Sequence, residues 1–235
     1  MIKQTYSEVL GADVVIARRK GVRHLRISIK NNGVVRLTVP FGVSERQAQS
    51  FLNSKADWIT KHIKTPTLLK NGDRIGKSHR LIIQEADVEK VRTRIKTNEV
   101  VVTVPQNTDV NNPAIQNTVK KAGERALKVE AENLLGQRLQ VLATKHDIYY
   151  RNVAVKKLKS RWGSCDNHKN IVLNYYLIQL DWELIDYVIL HELAHTRHQH
   201  HQPEFWSFLE TLLPDYKVKR KVLKTKPTDV FATNF

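Results

Sequence analysis

The sequence contains a single cysteine, Cys165, and a single methionine, Met1. A lone cysteine excludes an internal disulfide framework and suits a reducing compartment. No apolar run approaches the roughly 18 residues needed to cross a bilayer. The opening stretch MIKQTYSEVLGADVV carries charge and lacks the apolar segment of a secretory signal. The expectation is a cytoplasmic protein with no membrane partner. Aromatics are sparse, at 7%, and do not interleave with the basic stretches ARRKGVRHLRISIK, KKLKSR and KVKRKVLKTK, which argues against a stacking platform for single strands. A Walker-type Gly-x-x-x-x-Gly-Lys loop is absent; NNG and KNGDRIGK read as turns.

Positive charge, by contrast, is abundant. Lysine and arginine number 39 against 23 acidic residues, a formal net charge of +16. That excess steers anionic partners, nucleic acid or nucleotide among them, without naming one. The 235 residues are enough to bury a real core in one or two domains.

Residues 26 to 62 alternate apolar and polar side chains, turn at Asn32-Gly33, alternate again to Pro40 and then become helical. Alternation around Asn-Gly is a hairpin signal. Ser44 and Gln47 form a capping-box start for a helix from Glu45 to about His62. Residues 90 to 127 repeat the order, and Thr-Val-Pro recurs at 38 and 103. Two related hairpin-plus-helix units are expected. A helix with leucines at helical spacing follows from about Ala114. Next come a β stretch through VAVKKLKSRWGSC, a turn at DNHKN, a second stretch IVLNYYLI, a helix from Asp181 and a last helix from Pro203 that carries Phe205, Trp206, Leu209, Leu212 and Leu213 inward. The expected class is α+β, with a β-rich part over 1–110 and a second domain over 111–235.

The segment HELAHTRHQHHQ, residues 191 to 202, holds five of the ten histidines. His191 and His195 are four apart, so on a helix both project from one face and can grip one ion. Glu192 sits beside the first, able to reach water near the ion without ligating. Ile185, Val188, Ile189 and Leu193 would bury this helix. A catalytic zinc needs a third protein ligand. His198 would lie about 10 Å along a continuing helix from His191, too far to share the ion. His200, His201, Glu204 and Glu210 remain open once the chain folds back.

SRWGSC, NIVLN, IDYVILHELAH and HQPEFW, in this order and spacing, resemble the YgjP-like metallopeptidase family of the zincin clan, related to SprT-like and WLM-type minimal zinc peptidases. The resemblance is strongest from Lys159 to Trp206 and looser from about Val14 to Ile63. It implies a C-terminal minimal zincin-like domain, its active-site helix beside a small sheet. It also implies Zn²⁺ held by His191 and His195, with Glu192 as general base and His201 as third ligand. Position 200 is His where the family usually shows Asn, and 202 is Gln where Ser is common, so His200 stays an alternative ligand. The ligand spacing also equals the metzincin one, but His198 stands at its glycine position and no methionine turn can form, which excludes that group.

The expected activity is zinc-dependent hydrolysis of peptide or protein substrates. Arg161 and Trp162 are placed near the cleft, on a strand that would pair with an extended peptide. Trp162 and Cys165 also fit as packed core side chains. Two alternatives use the same centre: a nucleotide phosphohydrolase of the NTP pyrophosphatase type, favoured by the charge, and a SprT-like protease recruited to nucleic acid by the basic N-terminal half.

Overall fold

The computed structural model describes residues 2–7, 12–29, 34–62, 68–226 and 228. The chain divides into two compact units, with the division at residues 67 and 68.

The first unit holds β1 (Ile2–Ser7), β2 (Ala12–Arg19), β3 (Arg26–Ile29), β4 (Val35–Pro40), α1 (Glu45–Ser54) and α2 (Ala56–His62). Its sheet runs β1-β2-β4-β3. Alternation in β4 buries Val35, Leu37 and Val39 at a core shared with Val14, Ala48, Leu52 and Ile59. The β3–β4 pair is antiparallel as expected, and its Asn32-Gly33 turn lies outside the described residues. The Ser44 capping box is present: its hydroxyl accepts from the Gln47 N–H at 3.2 Å, and the Gln47 carboxamide oxygen accepts from the Ser44 N–H at 3.0 Å. The single helix expected to His62 is two, because the backbone leaves helical geometry at Lys55 (φ −110°, ψ 9°).

The second unit begins with β5 (Arg80–Ala86), β6 (Arg92–Ile95), β7 (Glu99–Pro105) and α3 (Pro113–Lys145). Asn112 caps α3, accepting from the Ala114 N–H at 2.9 Å, and Pro113 takes the first turn, where its missing N–H costs nothing. The sequence boundary at 110 falls between β7 and α3, inside this unit. Val100, Val102 and Val104 of β7 share one core with Val119, Ala122, Ala126 and Leu127 of α3, so the two elements bury each other's apolar faces. Glu130 of α3 is also buried. Its carboxylate accepts from the backbone N–H groups of Lys77 and Ser78 and meets His79 Nδ1 at 2.8 Å. A Cβ on Gly76 would stand 2.7 Å from that carboxylate, so the turn can close around it only as glycine.

The chain continues through β8 (Asn152–Lys156), β9 (Gly163–Cys165) and β10 (Asn170–Asn174), a 3-10 turn (Tyr175–Gln179), α4 (Trp182–His195), α5 (Pro203–Leu212) and α6 (Tyr216–Leu223). The uninterrupted β stretch expected over 153–165 is broken. β8 pairs parallel and β9 antiparallel with β10, so the chain must cross from one edge to the other over residues 157–162. The second stretch stops early as well, because the Asn174 side chain accepts from the Tyr176 N–H and starts the 3-10 turn.

All three sheets share one connectivity. In each consecutive triplet, β2-β3-β4, β5-β6-β7 and β8-β9-β10, the third strand lies between the others, parallel to the first and antiparallel to the second. A helix follows the third strand each time. The sequence predicts two hairpin-plus-helix units; among the described residues there are three strand triplets, and the third leads into α4. That helix is apolar nearly all round and correspondingly buried. Arg138 of α3 fastens it with a two-pronged ion pair to Asp186, at 2.7 and 2.6 Å. Among the described residues no helix is long and apolar enough to cross a membrane.

Candidate metal centre

His191 and His195 lie one turn apart at the end of α4, with ring centroids 4.8 Å apart. Helix α4 ends at Thr196, and residues 197–202 then fold back before α5 begins at Pro203. This reversal brings in His201, whose Nε2 stands 3.0 Å from Nε2 of His191. One ring nitrogen from each of His191, His195 and His201 lies within 4.8 Å of the others. Among the described residues, this is the one cluster of three His, Cys, Asp or Glu side chains close enough to share an ion. His200 is exposed and outside it; so are Glu204 and Glu210, and Glu210 pairs with Lys217 at 3.0 Å. His198 contributes its backbone: its carbonyl lies 3.1 Å from Nδ1 of His195, which leaves Nε2 of that ring as the free lone pair.

The donor set fits a divalent ion. Two imidazole nitrogens 3.0 Å apart attract only if a proton or cation lies between them. A tetrahedral zinc with nitrogens at about 2.05 Å separates them by about 3.3 Å, so this pair would open by a few tenths of an ångström while wider pairs of the set, which extends to 4.8 Å, would close. The surroundings of all three rings also favour the neutral form that ligation needs. Burial, then the charges of His195, His201 and Arg220, pushes His191 down to about 3. Burial is likewise the first cause lowering His195 and His201. Nδ1 of His191 is buried without a partner among the described residues, at a cost of about 1–3 kcal/mol.

Beneath the rings lies Phe205 of α5, fully buried, its centroid 4.9, 4.5 and 4.8 Å from those of His191, His195 and His201. Trp206 stacks on His201 at 5.3 Å and donates its indole N–H to the His201 carbonyl at 3.1 Å, which fixes the third imidazole. The sequence marked both aromatics as inward-facing but did not reveal Phe205 as the floor of the site.

Glu192 is buried against β9. A Cβ on Gly163 would meet its Cγ and Oε1 at 2.7 Å, so the glycine supplies the space for the carboxyl group. Burial pushes Glu192 up to about 8, with Arg161 pulling the other way. The sequence signal was available, since a glycine in a strand often marks close approach. Asn174 holds this wall. Fully buried, it donates its side-chain N–H groups to the carbonyls of Leu158 (3.0 Å) and Arg161 (3.1 Å), and its backbone N–H to Trp162 at 2.8 Å. Arg161 is exposed. Trp162, expected beside the cleft, packs its indole into the main core. The Cys165 thiol is outside the cluster and pushed up to about 11 by burial and by Glu192 and Asp166, so it stays protonated.

A family model described as the YgjP-like metallopeptidase domain matches residues 23–226. The chain belongs to the YgjP-like metallopeptidase family. The match spans both compact units of this YgjP-like chain, as well as the histidine cluster. Two solved structures are similar to part of it. One is the metallopeptidase zymogen abylysin of Pyrococcus abyssi, at 21% identity and TM-score 0.36, covering 39% of this chain and 93% of that one. The other is the zymogen jannalysin of Methanocaldococcus jannaschii, at 22% identity and TM-score 0.33, covering 39% and 97%. No curated protein matches the sequence.

Proposed function

We propose that this metallopeptidase is a zinc-dependent peptidase in which His191, His195 and His201 hold the ion and Glu192 is the general base. The observation that carries the reading is the convergence of three neutral-leaning imidazoles beside a buried carboxyl group whose space is reserved by Gly163. A bound divalent ion supplies Lewis acidity, acidifying water and polarising a carbonyl. Glu192 takes a proton from water and returns it to the leaving amine. Its proton affinity, pushed up to about 8, lies near neutral pH, where one group can do both. Phe205 and the Trp206–His201 hydrogen bond keep the imidazoles oriented. Strand β9, at the edge of its sheet, offers its free backbone side to an extended peptide, and Arg161 stands at the entry to that strand.

The test is metal analysis and casein-like substrate cleavage on three proteins. Wild type should carry about one zinc per chain and cleave. Glu192→Gln should keep the metal and lose at least about a hundredfold in kcat. His201→Ala should lose most of the metal. Full activity in Glu192→Gln, or full zinc in His201→Ala, refutes the assignment.

A further inference from the structure

Two guanidinium groups with no carboxylate partner among the described residues flank the candidate centre. Arg220 of α6 lies with its guanidinium carbon 4.3 Å over the Trp206 ring, and that ring is 5.3 Å from His201 and 6.0 Å from His191. Its charge reaches His191, His201 and Tyr187. Arg161 is exposed, springs from backbone pinned by Asn174, and its charge reaches Glu192. Neighbouring acids are already engaged: Asp186 with Arg138, Glu210 with Lys217, and Asp215 and Glu183 with Lys219. Glu204, exposed at the start of α5, is the exception. Glu192 itself is buried against Gly163 and makes no ion pair among the described residues. A centre of three imidazoles and a divalent ion thus has an excess of positive charge around it. A planar guanidinium already stacked on an indole is preorganised for two-pronged contact with a carboxylate.

We propose that this centre selects peptides carrying a carboxylate close to the scissile bond, with Arg220 as the residue that binds it and Arg161 adding to the attraction. The inference rests on the peptidase reading and names the substrate class for that site. The carboxylate comes either from an acidic side chain or from a free C-terminus, and both present the same planar anion to Arg220.

The experiment uses the full-length zinc-loaded protein and one fluorogenic peptide sequence in three forms: ending in Gln-amide, in Glu-amide, and in Gln with a free carboxylate. The side-chain source predicts preference for the Glu-amide form, the terminal source preference for the free acid. In either case kcat/KM should exceed that of the neutral peptide by about tenfold or more, chiefly through KM. Arg220→Ala should bring that ratio close to one, Arg220→Lys should keep part of it, and Arg161→Ala should lower it less. Zinc content and melting temperature verify that each variant is folded. Equal cleavage of all three peptides by wild type, or an undiminished preference in Arg220→Ala, overturns the proposal. In both cases cleavage that vanishes in Glu192→Gln leaves the peptidase reading standing. Hydrolysis of a nucleoside triphosphate with no cleavage of any peptide overturns both.

Discussion

Replacing Gly163 by alanine puts a methyl carbon 2.7 Å from Cγ and Oε1 of Glu192 and 2.9 Å from Cδ. Carbon atoms pack at about 3.5 Å or more, so one side must yield by about 0.8 Å. The backbone at 163 has no positive φ, so the new side chain carries no conformational penalty of its own. The clash is the whole effect. Glu192 is buried and its first contact is Cγ, so it cannot escape by swinging only its tip. Overpacking of this kind costs about 1–3 kcal/mol of stability. A catalytic group displaced by about 1 Å loses up to a hundredfold in rate, so Gly163→Ala should fall roughly 30- to 100-fold in kcat, or about 2–3 kcal/mol in the barrier. The ligands are untouched, so zinc content should hold. Steady-state kinetics and metal analysis on Gly163→Ala, Glu192→Gln and the double variant decide the matter. Once the carboxylate has been replaced, its displacement can do no further harm, so the double variant should be no slower than Glu192→Gln. Wild-type kcat in Gly163→Ala, or multiplied losses in the double variant, refutes the argument.

Phe205→Ala should cost about 3–5 kcal/mol and reduce zinc retention, because the ring underlies all three imidazoles; unfolding curves and metal analysis check it. Asn174→Ala strips buried partners from the Leu158 and Arg161 carbonyls at about 1–3 kcal/mol each, and hydrogen exchange over residues 157–163 should quicken. The metal-free protein should have a stability optimum set by two opposed groups. His191, held near 3 against 6.5 when unfolded, contributes stability present above 6.5 that is lost as pH falls toward 3. Glu192, raised to about 8 from 4.5, contributes stability present below 4.5 that is lost as pH rises toward 8. Thermal melts in chelator should fall off in both directions, and Glu192→Gln should flatten the alkaline side; a melting temperature unchanged by that substitution above pH 6 refutes it.

The legible part of the site was the local part. His191, Glu192 and His195 follow from a four-residue spacing on one buried helix, and Pro203 marks the start of the next. His201 did not follow from spacing, because its approach depends on how residues 197–202 reverse; only the family resemblance singled it out. Phe205 read as a core residue because an inward aromatic looks the same under a metal site as under any other layer. In the fold, Ser44 announced its helix through a side-chain cap that acts within three residues, whereas the Asn112 cap of α3 emerged only in the structure. The break at Lys55 has no comparable marker. The division at 67–68 has no marker in the sequence, because the contact joining β7 to α3 is between apolar faces, which a strand pattern followed by a helix pattern does not disclose. The third copy of the strand triplet escaped notice because its middle strand is only three residues long and its third strand ends at an asparagine instead of Thr-Val-Pro.

The 33-residue α3 supports far more than its own length of chain. One side of it backs the β5–β7–β6 sheet; farther along it meets the 3-10 turn and α4, and Arg138 grips the helix that ends in the first two histidines. Residues such as Leu127 and Leu135, remote in sequence from any ligand, are thereby part of the footing on which the imidazoles stand. Substitutions along this spine should therefore shift the three imidazoles relative to one another without altering any of them.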